Sequence, residues 1–313
     1  MTTLARRPLR GALSAALAAT AFASAVLSSS GLASAGSDRA ELASVTWALS
    51  GSVATAAARQ QETGTQEPQA QSFDLTHRAW TEILAEHLRG DRFDYRAVTK
   101  DPSALNAYLA SLAAVTPKEL AQWKESDRFA FFINAYNAYT VSLVASNLPL
   151  ESIEDLSTEE LPVWKRAFIP LGRHLEGAGE LLSLDQLEHQ ILRPRFEDAR
   201  VHVAVNCASV SCPPLRAEAF RGSELDEQLD DQMARFLADE SRNRFDAITH
   251  TARLSKIFEW FAADFEREAG SVNAWLALHG PPQHRAWVAA ATIVYLDYDW
   301  SLNAVPREDG TQR

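Results

Sequence analysis

The chain has 313 residues, 46% hydrophobic and 23% charged, a balance that excludes a disordered or low-complexity protein. Because 41 acidic residues face 30 basic ones, the net charge of −11 argues against nucleic acid or an anionic membrane as a partner. Two cysteines are too few for a disulfide-dense scaffold or an all-cysteine metal site.

The N-terminus has the pattern of a secretory signal peptide. Three arginines within the first ten residues precede an apolar stretch over 11–27, and small residues follow up to Ala-Ser-Ala at 33–35. The sequence therefore predicts a signal peptide over 1–35 and a secreted or periplasmic protein with no stable membrane anchor after cleavage. An uncleaved N-terminal anchor is the alternative. Residues 36–72 are rich in Ala, Gln, Ser and Thr and predict a flexible leader.

The remaining chain predicts one globular domain over 73–305 and a disordered tail over 306–313. Apolar residues spaced by three and four predict mostly helices. The predicted helices lie within 73–89, 127–146, 183–193, 223–237, 256–265 and 272–278. Capping boxes are predicted at Thr116 with Glu119 and at Ser183 with Gln186.

Strands are predicted to be few and short. The strand candidates are 201–205, 252–254, 292–298 and a hairpin of 167–171 with 180–183. Helical runs with clustered short strands indicate an α+β fold, a mostly helical domain around a small, short-stranded β-sheet. No glycine-rich phosphate loop is present, which counts against nucleotide binding, and no cofactor is predicted.

The segment 201–215, VHVAVNCASVSCPPL, contains both cysteines, and Cys207 follows the predicted strand. Three interpretations remain open. The two sulfurs form a disulfide across a tight loop, one cysteine is a nucleophile activated by a nearby histidine, or both are small buried residues. An extracellular location is compatible with the first two.

A second cluster, DQLEHQILR, occupies the helix predicted over 183–193. Glu188 falls within its apolar arc, where a carboxylate needs a partner, and His189 lies one turn after Asp185. The functional interpretation makes His189 a general base for a thiol, with Glu188 or Asp185 orienting it. Spacing alone favours structural roles for these residues.

Other polar residues lie among apolar neighbours. Asn134 and Asn137 flank the aromatic stripe of the long helix, His202 lies on the predicted strand, and Lys256 opens an aromatic helix. A structural role is the default for each. Histidine, glutamate and cysteine are also zinc ligands, but no H-E-x-x-H or similar spacing occurs, so no metal site is predicted.

Five strings together resemble the domain-of-unknown-function 547 family. They are FAFFINAYNAYT (129–140), LSLDQLEHQILR (182–193), VHVAVNCASVSCPPLR (201–216), LSKIFEWFAADF (254–265) and YDWSLN (298–303). The resemblance covers about residues 76–303, and the usual tryptophan of the first string is Phe132 here. In some animal proteins related domains accompany glutaredoxin and DEP modules, an association that hints at thiol chemistry.

The resemblance implies a fold and no settled reaction. Family motif positions are occupied by polar or thiol residues, which favours a pocket where Cys207 meets Glu188 and His189. The resulting hypothesis is a hydrolase or acyl transferase acting on a small-molecule or peptide-like substrate. Cys207 is its nucleophile and His189 its base, with Asn206 or backbone amides stabilising negative charge. The alternative is a binding or scaffold domain with a structural Cys207–Cys212 disulfide.

Overall fold

The computed structural model describes residues 72–306. The predicted signal peptide over 1–35 and nearly all of the predicted leader and tail lie outside these residues and stay predictions. Within residues 72–306, no helix is both long and apolar enough to cross a membrane.

The α+β prediction is confirmed, because helices dominate and the strands are short. The α-helices are α1 (Arg78–His87), α2 (Tyr95–Lys100), α3 (Ser103–Ala114), α4 (Pro117–Leu120), α5 (Glu125–Ala145), α6 (Leu184–Gln186), α7 (Arg193–Phe196), α8 (Val201–Ala204), α9 (Leu225–Ala238), α10 (Ile257–Trp260), α11 (Ala262–Ala269), α12 (Val272–His279) and α13 (Arg285–Val288). Short 3-10 helices cover Ile153–Leu156, Val163–Lys165 and Gly172–His174.

Two small sheets accompany the helices. The strands are β1 (Leu88–Arg89), β2 (Arg92–Phe93), β3 (Arg244–Asp246), β4 (Thr251–Leu254) and β5 (Thr292–Tyr295). β1 and β2 pair antiparallel, whereas β4 pairs antiparallel with β3 and parallel with β5. The strands predicted at 252–254 and 292–298 are therefore present, the second with an earlier end.

Buried apolar side chains form two clusters. The first surrounds α5, of which both Phe132 and Ile133 are at most 1% exposed. The second is built by α9, β4 and α10 to α12 around Trp275 and Phe258, which are fully buried. Burial of these faces is the main favourable contribution to folding.

The strand predicted at 201–205 is wrong, since residues Val201–Ala204 form the single-turn helix α8. Val201 packs in the first cluster and Val203 in the second, so apolar side chains are buried on opposite sides of the turn. The preference of valine for strands depends on context, and burial on both sides overrides it here. The Cys207 loop therefore follows a helix.

The hairpin predicted from 167–171 and 180–183 is also wrong. Only one antiparallel bridge, Ile169 with Leu182, joins these segments. Gly172 then turns the chain into a 3-10 helix so close to Gly179 that a Cβ on Gly172 would meet the Gly179 carbonyl at 1.8 Å. Beyond the bridge the Gly172 amide still donates to the Glu180 carbonyl at 3.0 Å, but the two segments do not lengthen into strands.

The two predicted capping boxes have different outcomes. Ser183 and Gln186 exchange both hydrogen bonds, as predicted. Thr116 accepts from the Glu119 amide, but the Glu119 carboxylate accepts from the Phe73 amide, 46 residues away, so the second box is half formed. The Glu119 carboxylate thus makes a tertiary contact with Phe73 instead of the local hydrogen bond that the capping box predicts.

Candidate functional site

The helix that follows Ser183 changes its winding where the candidate residues lie. It starts as α6, continues as a π-helix over Leu187–Leu192, and ends as α7. Glu188 and His189 both belong to the wider π segment, a local geometry that often marks functional sites. Glu188 is 8% exposed, whereas His189 is partly exposed.

The loop after α8 is held from both sides by buried amides. Asn137 donates to the Ala204 carbonyl at 2.9 Å and accepts from the Asn206 amide at 2.8 Å. Asn206 in turn donates to the Pro213 carbonyl and accepts from the Ala208 amide. Ala208 has a φ of 63°, a left-handed conformation that costs about 1 kcal/mol for a residue with a Cβ. The amide contacts offset this strain.

Both cysteines are free thiols in this loop. Their sulfur atoms lie 2.7 Å apart, and the Cys207 amide donates to the Cys212 sulfur at 2.8 Å. The Cys207 sulfur also lies 3.3 Å from the Ser209 hydroxyl and 3.2 Å from the Tyr298 hydroxyl. Cys207 is partly exposed and Cys212 is buried, so only Cys207 is presented to solvent.

Hydrogen bonding gives the two thiols different acidities. Burial raises the pKa of Cys207, but hydrogen bonds from Cys212, Ser209 and Tyr298 outweigh it and lower the pKa to about 7. Burial and the neighbouring Cys207 raise the pKa of Cys212 well above its ordinary value. Cys212 therefore stays protonated and acts as a donor to the Cys207 thiolate, the form that reacts as a nucleophile.

A cavity of about 210 Å³ adjoins Cys207 and brings the two sequence clusters together. Cys207, Cys212, Glu188, His189 and His202 all line it. Its walls also include the aromatic side chains of Tyr136, Trp164, Trp260, Phe261, Tyr298 and Trp300. A larger cavity of about 590 Å³ lies elsewhere, and neither cysteine nor histidine is among its lining residues, so the smaller cavity holds the candidate chemistry.

Burial raises the pKa of Glu188 to about 7. The negative charge of Cys207 acts in the same direction, whereas a hydrogen bond with Tyr136 and the charge of Arg193 oppose it. Cys207 and Glu188 therefore titrate in the same range and influence each other. A group with a pKa near neutral pH is well suited to accept and return a proton.

His189 is bound to Arg193 and not to the thiol. Its Nδ1 lies 2.7 Å from an Arg193 guanidinium nitrogen, which can only donate, so Nδ1 accepts and the neutral ring carries its proton on Nε2. Nε2 lies 3.8 Å from the Asp185 carboxylate. Burial and the charge of Arg193 lower the pKa of His189.

His202 is oriented by a carboxylate that the sequence did not single out for this role. Its Nε2 lies 2.7 Å from Asp264, and its ring stacks on Phe261 at 3.9 Å. Phe261 lies between α10 and α11, where the helix predicted over 256–265 is interrupted. Burial lowers the pKa of His202 to about 4, so the ring is neutral at physiological pH.

Asp264 stays ionised in this arrangement. Burial raises its pKa, but hydrogen bonds from His202 and Arg193 outweigh that effect and hold the pKa well below its ordinary value. An ionised Asp264 only accepts, so His202 donates from Nε2 and its Nδ1 is an unprotonated acceptor. Nδ1 is buried, has no hydrogen-bond partner among the described residues, and lies 4.0 Å from Glu188 Oε1.

The remaining predicted residues have structural contacts. Asn134 clamps the Phe220 backbone through both its amide nitrogen and its oxygen, 86 residues away. Lys256 pairs with Glu259 at 2.6 Å and does not line the cavity. The Asn206 side-chain nitrogen is already bonded to Pro213, so it is not free to stabilise a developing negative charge. Within residues 72–306, no three His, Cys, Asp or Glu side chains are arranged to hold a metal ion.

Sequence reasoning missed Tyr298, Ser209 and Asp264 as partners of the site. Tyr298 is the first residue of one of the five family-like strings, and that string could have indicated its place in the site. Arg193 follows His189 by four residues on a helix, a spacing at which side chains meet. Nothing local connects Asp264 with His202, since 62 residues separate them.

Searches of curated proteins and of solved structures found no match. A family model described as "Protein of unknown function, DUF547" matches residues 120–237. This segment contains α5, the π-helix and the cysteine loop, whereas the strings at 254–265 and 298–303 lie beyond it. The resemblance is confirmed over residues 120–237, where the chain is similar to the DUF547 family model.

Proposed function

We propose that the protein is a thiol-dependent hydrolase or acyl transferase in which Cys207 is the nucleophile. The observation that carries the proposal is the Cys207 sulfur, which meets three hydrogen-bond partners beside a cavity and has a pKa of about 7. Much of this thiol is ionised at neutral pH, whereas an ordinary thiol is mostly protonated there.

The proposed reaction passes through a thioester. The Cys207 thiolate attacks the carbonyl carbon of an amide or ester, the sulfur–carbon bond forms, and the leaving group departs with a proton. Water or an amine then attacks the thioester and releases Cys207 as a thiolate. We assign the proton transfers to Glu188, because its pKa is about 7 and its charge interacts with that of Cys207.

The role of His189 differs from the sequence hypothesis in this proposal. Because Nδ1 accepts from Arg193, Nε2 already carries a proton in the neutral ring and is not a free base. His189 therefore serves as a donor at the cavity wall. His202, aligned by Asp264, is the buried acceptor.

The substrate and location are also proposals. A cavity of about 210 Å³ suits a side chain or a small molecule, so a small-molecule or peptide-like substrate is proposed. The N-terminal arginines, the apolar stretch and the small residues support secretion or export to the periplasm.

Trapping of the acyl-enzyme tests this function. Native protein is mixed with p-nitrophenyl acetate, and we expect a burst of p-nitrophenol together with an acetyl group on Cys207 by peptide mass spectrometry. Cys207→Ala should fold and lose both signals. Ser211→Ala is the control, because its hydroxyl contacts the Asp299 amide instead. A burst that survives in Cys207→Ala would contradict the proposal.

The second candidate is a non-enzymatic binding or scaffold domain with a Cys207–Cys212 disulfide. It is favoured by the 2.7 Å between the two sulfurs, which is closer than unbonded thiols normally pack. A thiol count on native protein separates the candidates. Two free thiols with one alkylated rapidly at pH 7 support the enzyme. No free thiol before reduction, with loss of folding after reduction, supports the scaffold.

A further inference from the structure

We propose that the cavity beside Cys207 binds the primary ammonium group of its substrate, as carried by a lysine side chain, between Glu188 and His202. This inference rests on the proposed function, because it names the substrate class of the same site. It stands on a pair of buried acceptors, on the charges of the cavity wall and on its aromatic surface.

The first observation is the gap between Glu188 Oε1 and His202 Nδ1, which measures 4.0 Å. His202 Nε2 donates to Asp264, so Nδ1 offers a lone pair, and it is buried without a hydrogen-bond partner among residues 72–306. Buried polar atoms are normally satisfied. Two acceptors at this distance can both be reached at about 2.9 Å by one nitrogen that carries several N–H bonds.

The second observation is the charge of the wall. Asp185 and Glu188 both line the cavity, whereas no lysine or arginine is among its described lining residues. Arg193 lies behind this wall, where Asp264 and His189 accept its hydrogen bonds. A cleft with carboxylates and low-polarity walls concentrates cations and repels anions.

The third observation is the aromatic surface. Trp260, Tyr298 and Trp300 pack together with ring centroids 4.6–5.7 Å apart, and Trp260 is 47% exposed. Phe261 completes the wall beside His202. Aromatic faces attract alkylammonium groups and also cover the methylene chain that carries them. A neutral amide would satisfy the two acceptors but would gain nothing from the carboxylates.

The test compares two reagents that modify Cys207 with opposite charge. Aminoethyl methanethiosulfonate is cationic, and sulfonatoethyl methanethiosulfonate is anionic. All proteins carry Cys212→Ala, so that one thiol reacts and the mixed disulfide is not resolved. For each thiol we take the ratio of its reaction rate with the cationic reagent to its rate with the anionic one. We expect this ratio to be about tenfold higher for Cys207 than for glutathione under the same conditions.

Two variants locate the source of this preference. Glu188→Gln should reduce the rate ratio several-fold, and Glu227→Gln, which removes the same charge from the exposed face of α9, should leave it unchanged. The ratio cancels any change in the thiolate fraction, because both reagents meet the same sulfur. Equal effects of the two variants would overturn the proposed site.

A protection experiment separates the ammonium group from charge steering alone. In the wild-type protein, n-butylammonium should slow the alkylation of Cys207 by neutral iodoacetamide, whereas butan-1-ol at the same concentration should not. Equal protection by both would overturn the inference while leaving the acyl-enzyme result intact. If none of these reagents modifies Cys207, both the inference and the proposed function are wrong.

Discussion

The sulfur atoms of Cys207 and Cys212 lie 2.7 Å apart, and the Cys212 sulfur also accepts the Cys207 backbone N–H. The two thiols are chemically alike but differ in environment. Cys212 is 3% exposed and keeps its proton, whereas Cys207 is partly exposed and ionises near neutral pH. One cysteine is thus a hydrogen-bond donor to the other.

Replacing Cys212 by alanine should raise the pKa of Cys207, since a donor to the thiolate is lost. The rate of Cys207 alkylation by iodoacetamide, measured from pH 5 to 10, should show its midpoint shift upward from about 7. At pH 7 the rate should fall several-fold. Ser211→Ala serves as the control, and an unchanged midpoint in Cys212→Ala would contradict this assignment.

Glu188→Gln should stabilise the protein at pH 8 while reducing activity. The pKa of Glu188 rises from 4.5 to about 7 on folding, so ionisation of the buried carboxyl costs up to about 3 kcal/mol above pH 7. The amide has nearly the same shape and no charge to bury. Functional residues commonly reduce stability in this way.

Urea denaturation at pH 8 and pH 4.5 measures this effect. The gain in unfolding free energy should be present at pH 8 and largely absent at pH 4.5, where the folded wild type is protonated at Glu188. Equal gains at both values would show that the effect does not come from ionisation. Asp185→Asn, at a more exposed carboxylate of the same helix, is the matched control.

Asn137 and Asn134 provide a matched pair of buried clamps. Alanine at either position leaves a backbone carbonyl and an amide unpaired, which should cost about 2–4 kcal/mol of unfolding free energy. Only Asn137→Ala releases the Asn206 backbone next to Cys207. We therefore expect similar losses of stability in urea, but slower Cys207 alkylation only in Asn137→Ala. Equal alkylation rates in the two variants would show that this clamp does not position the thiol.

Stability should fall between pH 6.5 and 4 because three histidines are buried as neutral rings. Burial lowers the pKa of His77, His174 and His202 from 6.5 to about 4, so the unfolded chain binds protons that the folded one does not. Each ring contributes up to about 1.4 kcal/mol per pH unit to the slope of the unfolding free energy against pH in that window. The pKa of Glu188 is raised on folding, so this residue changes the unfolding free energy in the opposite direction and offsets the contribution of one histidine.

The pH dependence of urea denaturation between pH 7 and 4.5 checks this prediction. His77→Gln should reduce the slope, because glutamine does not titrate. The glutamine can still contact the Tyr108 hydroxyl, which lies 2.7 Å from His77 in the wild type. A slope that His77→Gln leaves unchanged would exclude His77 as a source. His250, which is exposed, provides the control position as His250→Gln.

Local sequence predicted the long helix well and the cysteine segment poorly. The apolar stripe over 127–146 corresponds to α5, and burial extends around the whole helix, because every residue from Phe129 to Val141 is buried. The valines at 201, 203 and 205 have the alternation of a strand, yet α8 is one helical turn. The conformation of α8 depends on packing in both apolar clusters and on the hydrogen bond from Asn137, which are contacts with residues distant in the sequence.

The sequence by itself determined the helical content, the acidic charge and which segments contain sulfur, imidazole and buried carboxylate, because periodicity and residue chemistry are local properties. Only the tertiary structure decided the partners: Arg193 binds His189, Asp264 orients His202, and Tyr298 meets Cys207 across 91 residues. Acidity follows from burial and from neighbours within a few ångströms. Those neighbours are set by packing, and sequence separation does not reveal them.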